Sequence, residues 1–154
     1  MTMKQRPLYL ALAAGLATTS PSVVLAVPST NCPQAVSNTI TVPNGFTVVA
    51  TETYGCSLTT GESIVVQTGG AIDFDQPAYG GELTFGLAGI FVPDGVSAGS
   101  VDIDGTVAIG DDNRRHGVFI GDGASLSGSI DVSGTITVSA SASSSTGILA
   151  RGDV

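Results

Sequence analysis

Apolar and polar residues alternate along much of the chain, and the alternation has a period of two. Val101 and Ile103 alternate with Asp102 and Asp104, and residues 106–109 repeat the pattern. This period is that of a β-strand with one buried face, whereas an amphipathic helix needs apolar residues every three or four positions. The 21 glycines recur between such stretches, where they allow tight turns. The pattern therefore predicts an all-β chain of short strands.

Two strand motifs recur at nearly constant intervals. The first occupies residues 70–75, 99–104 and 128–133, so that successive copies are equally spaced. The second begins at Gly89, Gly117 and Gly147, with steps that differ slightly in length. Strand-rich units of this length predict a parallel β-solenoid of about 29 residues per coil, with coils stacked about 4.8 Å apart. A β-propeller fits less well because its blades are about 40 residues long and usually carry tryptophan, which this chain lacks.

The start of the chain has the pattern of a secretory signal. Lys4 and Arg6 precede an apolar run at 8–17, and small residues follow up to Ala26. The run is too short for a spanning helix, which needs about 20 residues, and no later segment is long enough either. We therefore expect a signal peptide at 1–26 that is cleaved after Ala26, and an exported mature chain.

The mature chain is predicted to have two parts and an acidic surface. Residues 27–68 are expected to form a strand-rich cap, and residues 69–154 to form coils that are incomplete at the C-terminus. The whole chain has 13 acidic and 5 basic residues, a net charge of -8. Nucleic-acid binding is excluded by this balance, because such binding depends on basic residues that displace counterions from phosphates.

Cys32 and Cys56 are the two cysteines of the chain. An even pair of cysteines in an exported protein favours a disulfide bond over a metal site or a catalytic thiol. A bond that closes a loop of this length is expected to stabilise the fold by about 3 kcal/mol. We interpret the pair as a covalent tie at the start of the fold.

Aspartates recur in the first motif and form the main candidate site. Asp73, Asp102 and Asp131 hold the same motif position, and Asp75 and Asp104 follow two residues after the first two. In a solenoid they would form an outward ladder, in which neighbouring charges about 4.8 Å apart repel by about 0.9 kcal/mol in water. The ladder is interpreted as a solvated acidic surface. Calcium binding is the alternative, since carboxylate oxygens suit that ion.

Other motifs have simpler interpretations than catalysis or binding. Arg151, Gly152 and Asp153 spell an adhesive tripeptide, but they lie where the repeat needs a turn. Ser97 is the serine of a G-x-S-x-G match that lacks the helix such a nucleophile requires. His116, the single histidine, is expected on the surface within a polar loop. Phe91, Phe119 and Leu149 are expected to stack as packing residues.

The signal, the cysteine-containing lead-in and coils such as residues 128–138 followed by Gly147 and Ile148 resemble the passenger region of bacterial autotransporters. The resemblance covers residues 1–26 and about 60–154. It implies a right-handed parallel β-helix displayed on the surface of a Gram-negative bacterium, or secreted from it. It also implies a C-terminal outer-membrane barrel, which does not follow in this sequence, so we expect a fragment with the barrel supplied in cis.

The expected function is a structural or adhesive passenger that is not an enzyme, has no cofactor and binds a ligand on a host or neighbouring cell. One alternative is a β-helix enzyme that acts on polysaccharide, with Arg114, Arg115 and the aspartates on one groove. Few cations are available for such a groove, because the predicted mature chain keeps three basic residues. The other alternative is a gene fragment without a function of its own.

Overall fold

The computed structural model describes residues 27–29, 31–49, 54–74, 87–110, 115–139 and 145–154. The predicted signal peptide at 1–26 lies outside the described residues, and so do Asp75 and Arg114. Within these ranges the secondary structure consists of β-strands without a helix, as the period of two predicts.

Fifteen short strands are formed by the described residues. They are β1 (Val27–Ser29), β2 (Thr39–Val42), β3 (Phe46–Val49), β4 (Tyr54–Ser57), β5 (Ser63–Val66), β6 (Ala71–Phe74), β7 (Leu87–Val92), β8 (Ser97–Ala98), β9 (Val101–Ile103), β10 (Thr106–Ile109), β11 (Arg115–Ile120), β12 (Ser125–Leu126), β13 (Ile130–Val132), β14 (Thr135–Val138) and β15 (Thr146–Ala150). Tight turns separate many of them. Gly45, Gly69, Gly95 and Gly123 lie in such turns with positive φ angles, which a residue without a Cβ adopts at little cost.

The strands assemble into four sheets, and all neighbouring strands within a sheet are parallel. The first sheet has the order β1-β3-β6-β10-β14, the second β13-β9-β5-β2, the third β15-β11-β7-β4, and a short pair joins β12 to β8. From β2 onward the chain passes through the second, first and third sheets in that order and then repeats this path; we call each passage a circuit. In the later circuits the short pair follows the third sheet. This topology of stacked parallel sheets is compatible with a β-solenoid.

The later circuits keep the intervals read from the sequence. Val101 pairs with Ile130, and Thr106 pairs with Thr135, so both strands of the motif are displaced by the same number of residues. In the third sheet Val118 pairs with Ile90 on one side and with Ile148 on the other, which are the partners that the second motif predicts. Earlier circuits have other lengths. Ile64 in β5 pairs with Ile40 before it and with Val101 after it, at a shorter and a longer interval than the regular one.

Apolar side chains of successive strands form columns inside the stack. Ile64 lies beside Val101, and Val66 beside Ile103, and none of the four has any exposed surface. The other sheets contribute matching columns, of which the fully buried or nearly fully buried members include Val48, Ile72, Val107, Phe74, Ile109, Ile90, Val118, Val92 and Ile120. Burial of a large aliphatic side chain contributes about 1.5–3 kcal/mol, so these columns supply most of the stabilisation.

The last circuit is less buried than those before it. β13, β14 and β15 contain no fully buried residue, and Val132 and Ile148 are 39% and 43% exposed. Each of these strands has one neighbour in its sheet rather than two. Because a solenoid coil is stabilised by its neighbours, a circuit that is paired on one side gains less from packing than a circuit that is paired on both.

Residues 27–68, predicted as a cap, contribute the first strands of the same sheets. β3 pairs with β6, β4 with β7, and β5 with β9. The disulfide between Cys32 and Cys56 is confirmed, with the two Cα atoms 5.2 Å apart. Cys56 is buried in the core, so the bond ties the lead-in segment to the third sheet.

Glycines of the third sheet stand one above another at the same position of four strands. The register of β4, β7, β11 and β15 aligns Gly55, Gly89, Gly117 and Gly147. A Cβ on Gly89 would meet the Val107 side chain and the Gly117 carbonyl oxygen, at 2.6 and 3.0 Å. We call these four residues the glycine column. It lets side chains of the first sheet pack directly against the backbone of the third.

Candidate functional site

The acidic ladder exists on the second sheet, but it is shorter than predicted. Asp102 in β9 lies beside Asp131 in β13, with Val65 on its other side. Burial, and then the charges of Asp104 and Asp131, raise the pKa of the Asp102 carboxyl above its ordinary value. These nearby like charges, one just after β9 and one on the neighbouring strand β13, make ionisation of Asp102 less favourable.

Asp104, two residues after Asp102, faces a neutral side chain in the next circuit rather than another carboxylate. Asp104 is exposed and accepts a hydrogen bond from the hydroxyl of Ser133, the residue at the same motif position of the next circuit. Ser133 therefore takes the place where a fourth carboxylate would increase the repulsion between Asp102, Asp104 and Asp131. The arrangement is that of an exposed polar face.

Asp73 does not belong to this ladder, and the sequence-based alignment of Asp73 with Asp102 is wrong. Asp73 lies in β6 of the first sheet, between Val49 of β3 and Ala108 of β10. The two motif copies thus belong to different sheets, although their residues match. Within the part of the chain that the structure describes, no three His, Cys, Asp or Glu side chains come together as a group able to hold a metal ion.

The tripeptide Arg151, Gly152 and Asp153 follows β15 and runs along the preceding turn. The Asp153 amide donates to the Ala124 carbonyl oxygen at 2.9 Å, and a Cβ on Gly152 would collide with that same oxygen. The Arg151 guanidinium lies 3.9 Å from the Asp122 carboxylate, and both side chains remain about half exposed. The backbone is therefore fixed against the neighbouring turn, and Arg151 already has a partner within the chain.

An aromatic stack lies along the third sheet. The Phe91 and Phe119 rings stack at 5.6 Å with an interplanar angle of 13°, as the register predicts. Tyr54 extends the stack, with its ring 4.0 Å from that of Phe91. Burial, with the charge of Asp94 as the second cause, raises the pKa of the Tyr54 hydroxyl. Because the rings face one another, their faces are used for packing rather than for a ligand.

His116 is buried, and the prediction that it lies on the surface is wrong. It is part of β11, all of whose residues are buried between β7 and β15, and 5% of its surface is exposed. Its Nδ1 atom lies 2.8 Å from the Thr146 hydroxyl oxygen, and its ring is 5.5 Å from that of Phe119. Burial, and then the positive charge of Arg151, lower the pKa of His116. Both effects favour the neutral form of the imidazole over the protonated form.

Arg115 is fully buried at the start of β11, which the sequence did not predict. One guanidinium nitrogen donates to the Phe74 carbonyl oxygen at 3.0 Å, and the group lies 5.0 Å from the centre of the Phe74 ring. Arg115 therefore points into the stack and does not share a surface groove with Asp102. The groove required by the polysaccharide-enzyme alternative is not formed by these two residues.

Ser97 lies in β8 and is followed by another strand, β9, so the helix required by a nucleophile elbow is absent at this position. Its hydroxyl oxygen accepts a hydrogen bond from the Ser125 hydroxyl at 3.1 Å. The two serines stand at the same position of successive circuits. Their contact is one between neighbouring turns.

No helix in the described residues has both the length and the apolar character needed to cross a lipid bilayer. Models of protein families, curated protein sequences and solved structures were compared with the chain, and none of them matches it.

Proposed function

We propose that the chain is an exported, non-catalytic scaffold with a structural or adhesive role on a bacterial cell surface. Its fold is a right-handed parallel β-helix whose regular coils repeat at the interval of the first strand motif. It resembles an autotransporter passenger, with the outer-membrane barrel supplied by a further part of the polypeptide. The parallel pairing of residues 101–109 with 130–138 is the observation that carries this proposal.

The disulfide supports the export step. Bonds of this kind form and persist in oxidising compartments, such as the bacterial periplasm and the cell exterior. Cys32 and Cys56 are the two cysteines of the chain, and both are used. The basic and then apolar start of the chain gives the matching signal for translocation.

The packing favours a scaffold over an enzyme. His116, the single histidine, and Arg115 are held in the interior by contacts with Thr146 and Phe74. The face that carries Asp102 and Asp131 belongs to the second sheet, whereas His116 and Arg115 belong to the third. A surface made of acidic, Ser and Thr residues suits a soluble, displayed rod.

Export is tested by expressing the full chain in a Gram-negative host and analysing its fractions. We expect a product that begins at Val27, outside the cytoplasm, with Cys32 and Cys56 joined in the non-reduced peptide map. A product that keeps residues 1–26 and carries free thiols in the cytoplasm would contradict the proposal. A Lys4→Glu, Arg6→Glu variant is the matched control, because it removes the basic start and should block export.

Adhesion and catalysis are separated by two assays on the exported chain. Beads coated with the chain are expected to adhere to host or bacterial cells, and polysaccharides incubated with it are expected to gain no reducing ends. The Asp153→Glu variant keeps the charge of the adhesive tripeptide and should adhere as well as the unchanged chain. New reducing ends would favour the polysaccharide-enzyme alternative instead.

A further inference from the structure

A cavity of about 470 Å³ lies between the lead-in segment at 32–35 and the turn that follows β4. Its described lining residues are Cys32, Pro33, Gln34, Ala35, Ile40, Ser57, Thr59 and Glu62. We call it the disulfide pocket, because Cys32 of the disulfide forms part of its wall. Cavities of this size hold small ligands or single side chains of a partner, and most of them combine an apolar wall with a few polar groups.

The wall formed by the lead-in segment is held in place by covalent bonds. Cys56 is buried in the core, and its bond to Cys32 fixes the start of the segment against the third sheet. Pro33 follows directly, and its ring restricts the backbone φ angle. A wall that is already ordered makes binding more favourable, because less conformational freedom is lost when the ligand enters.

The inner part of the disulfide pocket is apolar. Ile40 is 4% exposed and belongs to the core, and Ala35 is half-buried and packs against the same core. Pro33 adds a further half-buried apolar surface. An aliphatic chain placed here would be removed from water, and each fully buried methylene group strengthens binding by up to about fourfold.

The rim of the pocket is polar and carries a negative charge. The carboxylate of Glu62 accepts a hydrogen bond from the Thr59 amide at 2.8 Å, and a carboxylate has capacity for more than one such bond. The exposed hydroxyls of Ser57 and Thr59 are further acceptors. No lysine, arginine or histidine occurs among the described lining residues to offset the charge of Glu62. The net charge of -8 on the whole chain also attracts cations.

We propose that the disulfide pocket binds a primary alkylammonium group, with its carbon chain on Ile40 and Ala35 and its ammonium on the Glu62 carboxylate. An ammonium has three N–H donors, which the carboxylate and the neighbouring hydroxyls can accept. An anionic ligand of the same length is repelled by Glu62, and a neutral one gains the apolar contact alone. A lysine side chain of another protein and a free aliphatic amine share the chemistry that the pocket recognises.

The test is an NMR titration of the full chain at about pH 7, where an aliphatic amine is protonated and a carboxylic acid is ionised. The probes are n-pentylamine, pentan-1-ol and pentanoate, which have the same carbon chain and differ in charge. We expect n-pentylamine to shift the signals of Ile40, Ala35 and Glu62 with saturation in the millimolar range, since the ligand has few atoms. Pentan-1-ol should bind more weakly and pentanoate least. Equal binding of all three probes, or no saturable shift with the amine, would overturn the proposal.

Glu62→Gln removes the charge and keeps an oxygen that can accept the hydrogen bond from Thr59. We expect this variant to bind n-pentylamine about fivefold more weakly, the upper range for a solvent-accessible ion pair, and to bind pentan-1-ol as before. Asp104→Asn is the matched control, because it removes one charge outside the lining and keeps an acceptor for Ser133. An equal loss in both variants would show attraction to the net charge alone and would contradict the assignment to the pocket.

The unchanged chain provides a second measurement if Glu62→Gln does not fold. Added salt screens the ion pair, so binding of n-pentylamine should weaken between about 0.05 and 0.5 M NaCl, whereas binding of pentan-1-ol should not. Affinity for the amine that does not depend on salt would contradict the role of Glu62. A lysine blocked at both backbone ends distinguishes the two sources: binding of this probe as well supports a protein partner, and binding of n-pentylamine alone supports a free amine. The titration uses no cells, so its result is independent of whether the exported chain adheres.

Discussion

An alanine at Gly117 tests the packing of the third sheet against the first. The new methyl carbon would lie 2.5 Å from the Gly147 carbonyl oxygen and would also collide with the Ile136 side chain. Gly147 lies in β15 of the third sheet and Ile136 in β14 of the first, and each strand is hydrogen-bonded to a neighbour in its sheet. Relief of the steric overlap therefore requires a backbone shift in β15 or a new rotamer at Ile136. Overpacking of this kind costs about 1–3 kcal/mol.

Gly147→Ala is the matched control, because it belongs to the same glycine column. Its nearest neighbour would be the Ile136 side chain at 3.7 Å, an ordinary van der Waals contact, and its φ angle is not positive. Replacement of such a glycine stabilises by about 0.4–1 kcal/mol, because the unfolded chain loses freedom. The two variants should thus change the free energy of unfolding in opposite directions.

The measurement is urea unfolding of the full chain and both variants, followed by circular dichroism at the β-sheet minimum. For a chain of this size, each kcal/mol corresponds to about 2–4 °C in Tm, so thermal unfolding gives an independent check. We expect Gly117→Ala to have a lower midpoint than the unchanged chain and Gly147→Ala an equal or higher one. Equal midpoints for the two variants would refute the packing described for the glycine column.

Three further outcomes are expected. Replacement of Cys32 and Cys56 together by Ser should lower the free energy of unfolding by about 3 kcal/mol, measured in urea, because the unfolded chain regains the freedom of the closed loop. Ile103→Ala should cost about 2–5 kcal/mol in the same assay, since Ile103 is fully buried. Asp131→Asn should lower the pKa of Asp102, measured by NMR titration, because one of the charges that raise this pKa is removed. An unchanged pKa would contradict the pairing of Asp102 with Asp131.

The period of two and the regular intervals were sufficient to predict the strands and the pairing of the last circuits. Residues 101–109 pair with 130–138 as the interval between the motif copies requires, because the turns between them have similar lengths. The same interval gave the wrong partner for Asp73. The chain between β6 and β7 includes residues 75–86, whereas residues 110–114 separate β10 from β11, so a constant interval cannot hold across the earlier circuit.

The buried charged residues were beyond the local pattern. Arg115 and His116 follow a polar run, and a polar run ordinarily predicts a loop. In the structure they begin β11, which lies between β7 and β15, and all six residues of this strand are buried. When both faces of a strand are buried, apolar and polar residues need not alternate along it, so the sequence pattern does not reveal the strand. Alternation gave no signal for His116, because its ring packs against Phe119 rather than within the core cluster that holds Val118 and Ile120.

The unequal circuits have a practical consequence for engineering. Parallel pairing fixes the strands, and the residues between Phe74 and Leu87 add length without changing the register of β6 with β10 or of β7 with β11. Each doubling of a connection adds only about 0.6 kcal/mol of closure entropy. A foreign epitope grafted between these two strands would thus be carried as an extra length of connection, and the pairing of β6 with β10 and of β7 with β11 would be kept.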